Sequence, residues 1–86
     1  MTELRILYFA LLRERVGMAE ETVAPPTDVL TVADLLAWLR GRSDGHEAAL
    51  ANPALVRVAV NQDYAEPTHR LQAGDEVAIF PPVTGG

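Results

Sequence analysis

The chain predicts an α+β fold: a mixed sheet with one main helix packed on one face and an extended C-terminal tail. Three observations carry this expectation. A single strongly amphipathic stretch follows Thr31 and ends at Gly41. Apolar, strand-like runs stand at both ends of the sequence, over 4–11 and 76–80. The second of these runs straight into Phe80-Pro81-Pro82-Val83-Thr84-Gly85-Gly86. One helix among several strands must bury its apolar stripe against a sheet, which gives a layered α+β arrangement.

In chain order, Leu4 to Leu11 is apolar at nearly every position, with Arg5 the exception. Such a run suits a strand in the middle of a sheet. Tyr8 and Phe9 then face opposite sides, because side chains alternate along a strand. Leu12 to Val16 reads as a helical turn stopped by Gly17. Glu20 to Ala24 is a second, polar strand suited to an edge, ended by Pro25-Pro26. Thr31 and Asp34 resemble a capping box, with Asp in place of the usual Glu. Val32, Leu35, Leu36 and Leu39 follow at helical spacing as one apolar stripe, and Trp38 packs at its edge. Ser43-Asp44-Gly45 reads as a loop, and Glu47 to Ala51 as a short helix ended by Asn52-Pro53. Leu55 to Asn61 is a third strand in which Val56, Val58 and Val60 face inward. Asn61-Gln62-Asp63 is a turn, Tyr64-Ala65 a short strand, Ala73-Gly74-Asp75 a turn, and Glu76 to Phe80 the last strand. Residues 1–80 thus form one domain and residues 81–86 a protruding tail.

The tail carries the chemistry. Pro81 and Pro82 give no N–H to a ladder, so they end the strand and hold the exit extended. Fully extended, Pro81 to Gly86 reaches roughly 20 Å, enough to enter a pocket on another protein. Gly85 and Gly86 lack a Cβ and pass through a channel too narrow for other residues. The group they present is the carboxylate of Gly86. With an α-carboxyl pKa of about 3.5 it is ionised at neutral pH and is a poor electrophile. It reacts only after activation, most simply as an acyl-adenylate made with ATP.

Composition narrows the function classes. The 86-residue chain is 49% hydrophobic and 22% charged, normal for a single globular domain. Its net charge of -5 argues against a phosphate-backbone ligand and for a partner with a basic docking surface. It has no cysteine, which excludes a disulfide scaffold and thiolate metal sites. Any sulfur it carries therefore rides on the C-terminal carboxyl. No metal and no bound cofactor are expected. The apolar run from Ile6 to Leu12 lacks the basic start of a signal peptide, and no stretch is long enough to cross a bilayer. A cytoplasmic protein is expected, with no nucleic-acid or membrane partner.

Three segments then resemble a known family. They are the ending Gly74-Asp75-Glu76-Val77 through Phe80-Pro81-Pro82-Val83 to Gly85-Gly86, the opening Ile6-Leu7-Tyr8-Phe9-Ala10 with Arg13-Glu14, and the middle Val60-Asn61-Gln62. Together the chain resembles the small, sulfur-carrier subunits of molybdopterin synthase, which are ubiquitin-like β-grasp proteins. The β-grasp places the first and last strands side by side in mid-sheet, which would bring Phe9 and Phe80 near each other on its outer face. The resemblance implies a cycle. An E1-like enzyme uses ATP to adenylate Gly86, and a sulfur donor converts it to a thiocarboxylate. Pro81, Pro82, Val83, Thr84 and Gly85 then carry it into the large synthase subunit, in a 2+2 heterotetramer. There sulfur passes to cyclic pyranopterin monophosphate, building the dithiolene. The family's partner-binding patch maps onto Phe9, Arg13, Tyr64 and Phe80, with Tyr64 standing where the family usually has an aliphatic residue. Catalytic acids and bases are expected on the large subunit. His46 and His69 are expected in surface or turn roles.

Two alternatives share the tail. One is a sulfur carrier for thiamine or tRNA thiolation, which the Phe-Pro-Pro approach disfavours. The other is a ubiquitin-like modifier joined to target lysines through Gly86.

Overall fold

The computed structural model describes residues 3–82. Its elements are β1 (Leu4–Tyr8), α1 (Ala10–Val16), β2 (Glu20–Val23), α2 (Val32–Arg40), α3 (Asp44–Leu50), β3 (Arg57–Val60), β4 (Asp63–Tyr64) and β5 (Glu76–Phe80), with a 3-10 turn over Pro53–Leu55. The sheet order is β2-β1-β5-β3-β4. The first and last strands are parallel neighbours at its centre, pairing Arg5 with Glu76 through Tyr8 with Ile79. The other pairs are antiparallel. This is the mixed β-grasp sheet expected from the sequence.

Alternation decides which face is core. Leu4, Ile6, Tyr8, Val58, Val60, Val77 and Ile79 are all buried with α2 residues Val32, Leu35 and Leu39 in one apolar cluster. Each fully buried side chain of this size contributes about 1.5–3 kcal/mol. The two edges are short: β2 has four residues and β4 two. Short edges limit pairing with other chains. β4 is joined to β3 by a turn in which Asn61 (φ 51°) and Gln62 (φ 74°) both take positive φ, the backbone of a type I′ hairpin. Asn61 also ties this turn to the start of β5. Its Oδ1 accepts from the Glu76 N–H at 3.0 Å and its Nδ2 donates to Asp75 Oδ1 at 2.9 Å.

Helix α2 starts as its sequence dictates. Thr31 Oγ1 accepts from the Asp34 N–H at 3.2 Å, and Asp34 Oδ2 accepts from the Thr31 N–H at 3.1 Å. Backbone N–H groups, Leu30 first and then Thr31, hold the Asp34 carboxyl below the usual carboxylate value. Trp38 is half-buried against the core, with the Arg42 guanidinium 4.7 Å above its ring.

Four expectations need correcting. The first strand stops at Tyr8 rather than Leu11, because Phe9 caps α1 and Ala10 turns the chain with φ 52°. An unbroken apolar run does not mark where a strand hands over to a helix. The third strand starts at Arg57, since Leu55 belongs to the 3-10 turn. Ser43-Asp44-Gly45 is no loop: Ser43 caps α3, and Asp44 and Gly45 form its first turn. Gly45 is needed there, because a Cβ would lie 2.5 Å from the Arg15 carbonyl oxygen where α3 crosses the end of α1.

The fourth correction is His46, expected at the surface and found only 4% exposed. Its Nε2 lies 2.7 Å from Glu21 Oε2, which also accepts from the Tyr8 hydroxyl at 2.7 Å. A carboxylate only accepts, so Nε2 carries the proton. In the neutral imidazole Nδ1 then accepts from Ser43 Oγ, 2.7 Å away. Burial disfavours the charge on Glu21, but the hydrogen bonds from His46 and Tyr8 and the nearby Arg42 outweigh it, so its carboxyl sits below the ordinary value. Burial, then the bond to Glu21, pushes the Tyr8 phenol well up. The cluster fastens α3 to β1 and β2. His69 is exposed, as expected.

Candidate functional site: the outer sheet face at the root of the tail

The face of the sheet opposite α2 is built by the residues that alternate with the core. Register places Leu7 beside Ala78, Ala78 beside Ala59, and Ala59 beside Tyr64, a row running across four strands. Phe80 stands one pair further along, opposite Arg57. Leu7, Ala59, Ala78 and Phe80 are half-buried, so nothing among the described residues covers them fully. Tyr64 is 80% exposed, and its ring lies 5.8 Å from that of Phe80, tilted by 57°. Phe80 is thus not core: Val77 and Ile79 are, and alternation turns Phe80 outward.

Phe9 is 46% exposed and its N–H donates to the Ile79 carbonyl at 3.1 Å, so its backbone adjoins the end of β5. Arg13, one helical turn along α1, is exposed. Tyr64 rather than Phe9 supplies the ring that meets Phe80. Large apolar side chains left open on one face, rimmed by polar residues, mark a docking surface more often than a defect. The small Ala59 and Ala78 between Leu7 and Tyr64 make the centre of this face shallow. The sequence reading missed these two and Leu7. The signal was present, since each lies between two buried strand positions and so points the other way.

Pro81 and Pro82 follow β5 directly, outside any strand or helix, and are half-buried. The expected roles of Val83, Thr84, Gly85 and Gly86 fall outside the described residues. What the structure describes is the root: the strand that leads into the tail is paired on both sides, by β1 and by β3. A group mounted beyond it starts from the central strand of the sheet. None of the described helices is long and apolar enough to cross a membrane. The described residues contain no cluster of three or more side chains able to hold a metal ion.

Comparison with known proteins gives the same picture at the level of the whole chain. The model of the ThiS family matches residues 6–86. The chain is 43% identical over 83 residues to the molybdopterin synthase sulfur carrier subunit of Escherichia coli, covering 96% of this chain and 99% of that one. It is 35% identical to small archaeal modifier protein 3 of Haloferax volcanii, over 98% of this chain and 99% of the other. Among solved structures it resembles a Pyrococcus furiosus chain provisionally described as molybdopterin converting factor subunit 1. That match has a TM-score of 0.80 and 30% identity, covering 96% of this chain and 100% of that one.

Proposed function

The chain belongs to the ThiS family, and from that premise we propose that it is the sulfur carrier of a molybdopterin synthase. The Gly86 carboxylate is adenylated by an E1-like enzyme at the expense of ATP. A sulfur donor displaces AMP and leaves a thiocarboxylate. Pro81, Pro82, Val83, Thr84 and Gly85 carry that group into the large subunit, where sulfur passes to cyclic pyranopterin monophosphate. The logic is that of a leaving group. A carboxylate has none, an acyl-adenylate has AMP, and a thiocarboxylate presents sulfur, a better nucleophile than oxygen. Acid–base groups come from the large subunit.

The single observation that carries this reading is the near full-length match to a molybdopterin synthase sulfur carrier subunit. The geometry supports it: an open face of Leu7, Tyr64 and Phe80 lies beside the strand that leads into the tail. In this reading Phe9, Arg13, Tyr64 and Phe80 meet the large subunit and the adenylating enzyme in turn, and the complex is a 2+2 heterotetramer in the cytoplasm. The test is reconstitution. Chain, adenylating enzyme, ATP, sulfur donor and large subunit together should convert cyclic pyranopterin monophosphate to its dithiolene. Omitting the chain, or supplying it without residues 85–86, should abolish the product.

One observation favours a second reading, the similarity to an archaeal modifier protein. A modifier would be activated in the same way but would end on a protein amine, and would give a ladder of conjugates on a denaturing gel.

A further inference from the structure

All seven Lys and Arg positions of this chain are arginines, and it has no cysteine. An activated acyl group is captured by amines and thiolates, and the side chains that supply them are Lys and Cys. A guanidinium stays protonated at every physiological pH and has no free lone pair to attack with. We propose that this chain is an acyl donor whose own side chains cannot serve as its acceptors. This rests on the activation step of the proposed function and says where the activated group can go next. Attack on the Gly86 carbonyl forms a C–N or C–S bond, breaks the bond to the AMP phosphate, and releases AMP and a proton. A side-chain amine or thiolate for that step comes from a different kind of molecule, or water restores the carboxylate. Joined to a protein amine, the chain caps it with one copy and builds no polymer branched through its side chains. No step in a ladder of such conjugates is then a link through a carrier's own lysine.

The structure shows where the choice of arginine matters. Arg40 places Nε and Nη2 on the two oxygens of Glu47 at 2.9 and 2.7 Å, a planar fork that lysine cannot form. Arg42 lies over Trp38, which also favours a planar cation. Those two positions have a structural reason. Arg15 and Arg70 make no side-chain ion pair among the described residues and are exposed, so an amine there would meet solvent and any activated terminus. The remaining side-chain nucleophiles are the hydroxyls and the imidazoles of His46 and His69; an acyl-imidazole is returned to the acid by water, and among the described residues only the Ser43 hydroxyl is hydrogen-bonded to an imidazole. Its Oγ already accepts the His46 backbone N–H at 3.1 Å as the cap of α3, which fixes it to the helix end.

The test separates activation from capture. Chain, adenylating enzyme and ATP are combined, and a small thiol is added to release the acyl group as a soluble thioester. Pyrophosphate release and the thioester mass report activation; their absence would remove the activation reading and this proposal with it. The thioester is then held at mildly alkaline pH and followed by intact mass and peptide mapping. The wild-type chain should return to the free acid with no dimer linked through a side chain. R70K and R15K, which keep the charge, should accumulate dimers, each joined through the new amine at the substituted position. A side-chain-linked wild-type dimer, including an ester at Ser43, would overturn the proposal. So would lysine variants as inert as the wild type.

Discussion

At the residue scale the buried polar cluster is the most exposed to failure. Glu21 accepts from both His46 and Tyr8, so Glu21→Ala strands two buried donors. Losing such partners costs about 1–3 kcal/mol, which urea titration of the variant should show. The pH dependence has a definite sign. The Glu21 carboxyl is held below its ordinary value of 4.5. Its contribution is therefore complete above that value and lost as pH falls through the lower folded value. Glu21→Gln should flatten the acid side of the stability profile, and an unchanged profile would contradict the cluster. Phe80 and Tyr64 should behave in the opposite way. Tyr64→Ala should change stability by less than about 0.5 kcal/mol, yet cost more than about 1 kcal/mol in binding to the large subunit, read by calorimetry. The sequence can place Phe80 outward, because alternation against Val77 and Ile79 requires it. It cannot place His46. The partner that buries it, Glu21, lies 25 residues earlier in the chain and meets it only once α3 has packed.

At the element scale, α2 and β5 are readable because their signals are local. The capping box, the apolar stripe and the Pro-Pro stop all lie within a few residues of the boundary they set. Helices α1 and α3 read short in the sequence because their first turns carry Ala10 and Gly45. The first continues an apolar strand pattern, and propensity alone assigns the second to a turn. Gly45 belongs in α3 for a tertiary reason, the approach to the Arg15 carbonyl. Gly45→Ala should therefore destabilise by about 1–3 kcal/mol through overpacking, even though alanine is the better helix former. A more stable Gly45→Ala variant in a thermal melt would show that α3 does not pack against α1 this closely. Thr31→Ala should cost about 1 kcal/mol by removing the cap of α2.

At the scale of the whole molecule, the fold holds one strand still. β5 is paired with β1 from the far end of the sequence and with β3 beside it, and in the proposed function the residues beyond it carry the reactive group. Stability and transfer should then separate cleanly. Deleting residues 85–86 should leave the unfolding midpoint where it is, since the buried cluster from Leu4 to Ile79 is intact, while sulfur transfer is lost. That sulfur is mounted on Gly86 is tested most directly by the intact mass of the chain after incubation with ATP, adenylating enzyme and sulfur donor. The predicted result is a gain equal to the difference between one sulfur and one oxygen atom, located by fragmentation at Gly86. An unchanged mass after demonstrated pyrophosphate release, or a sulfur placed anywhere else in the chain, would contradict it.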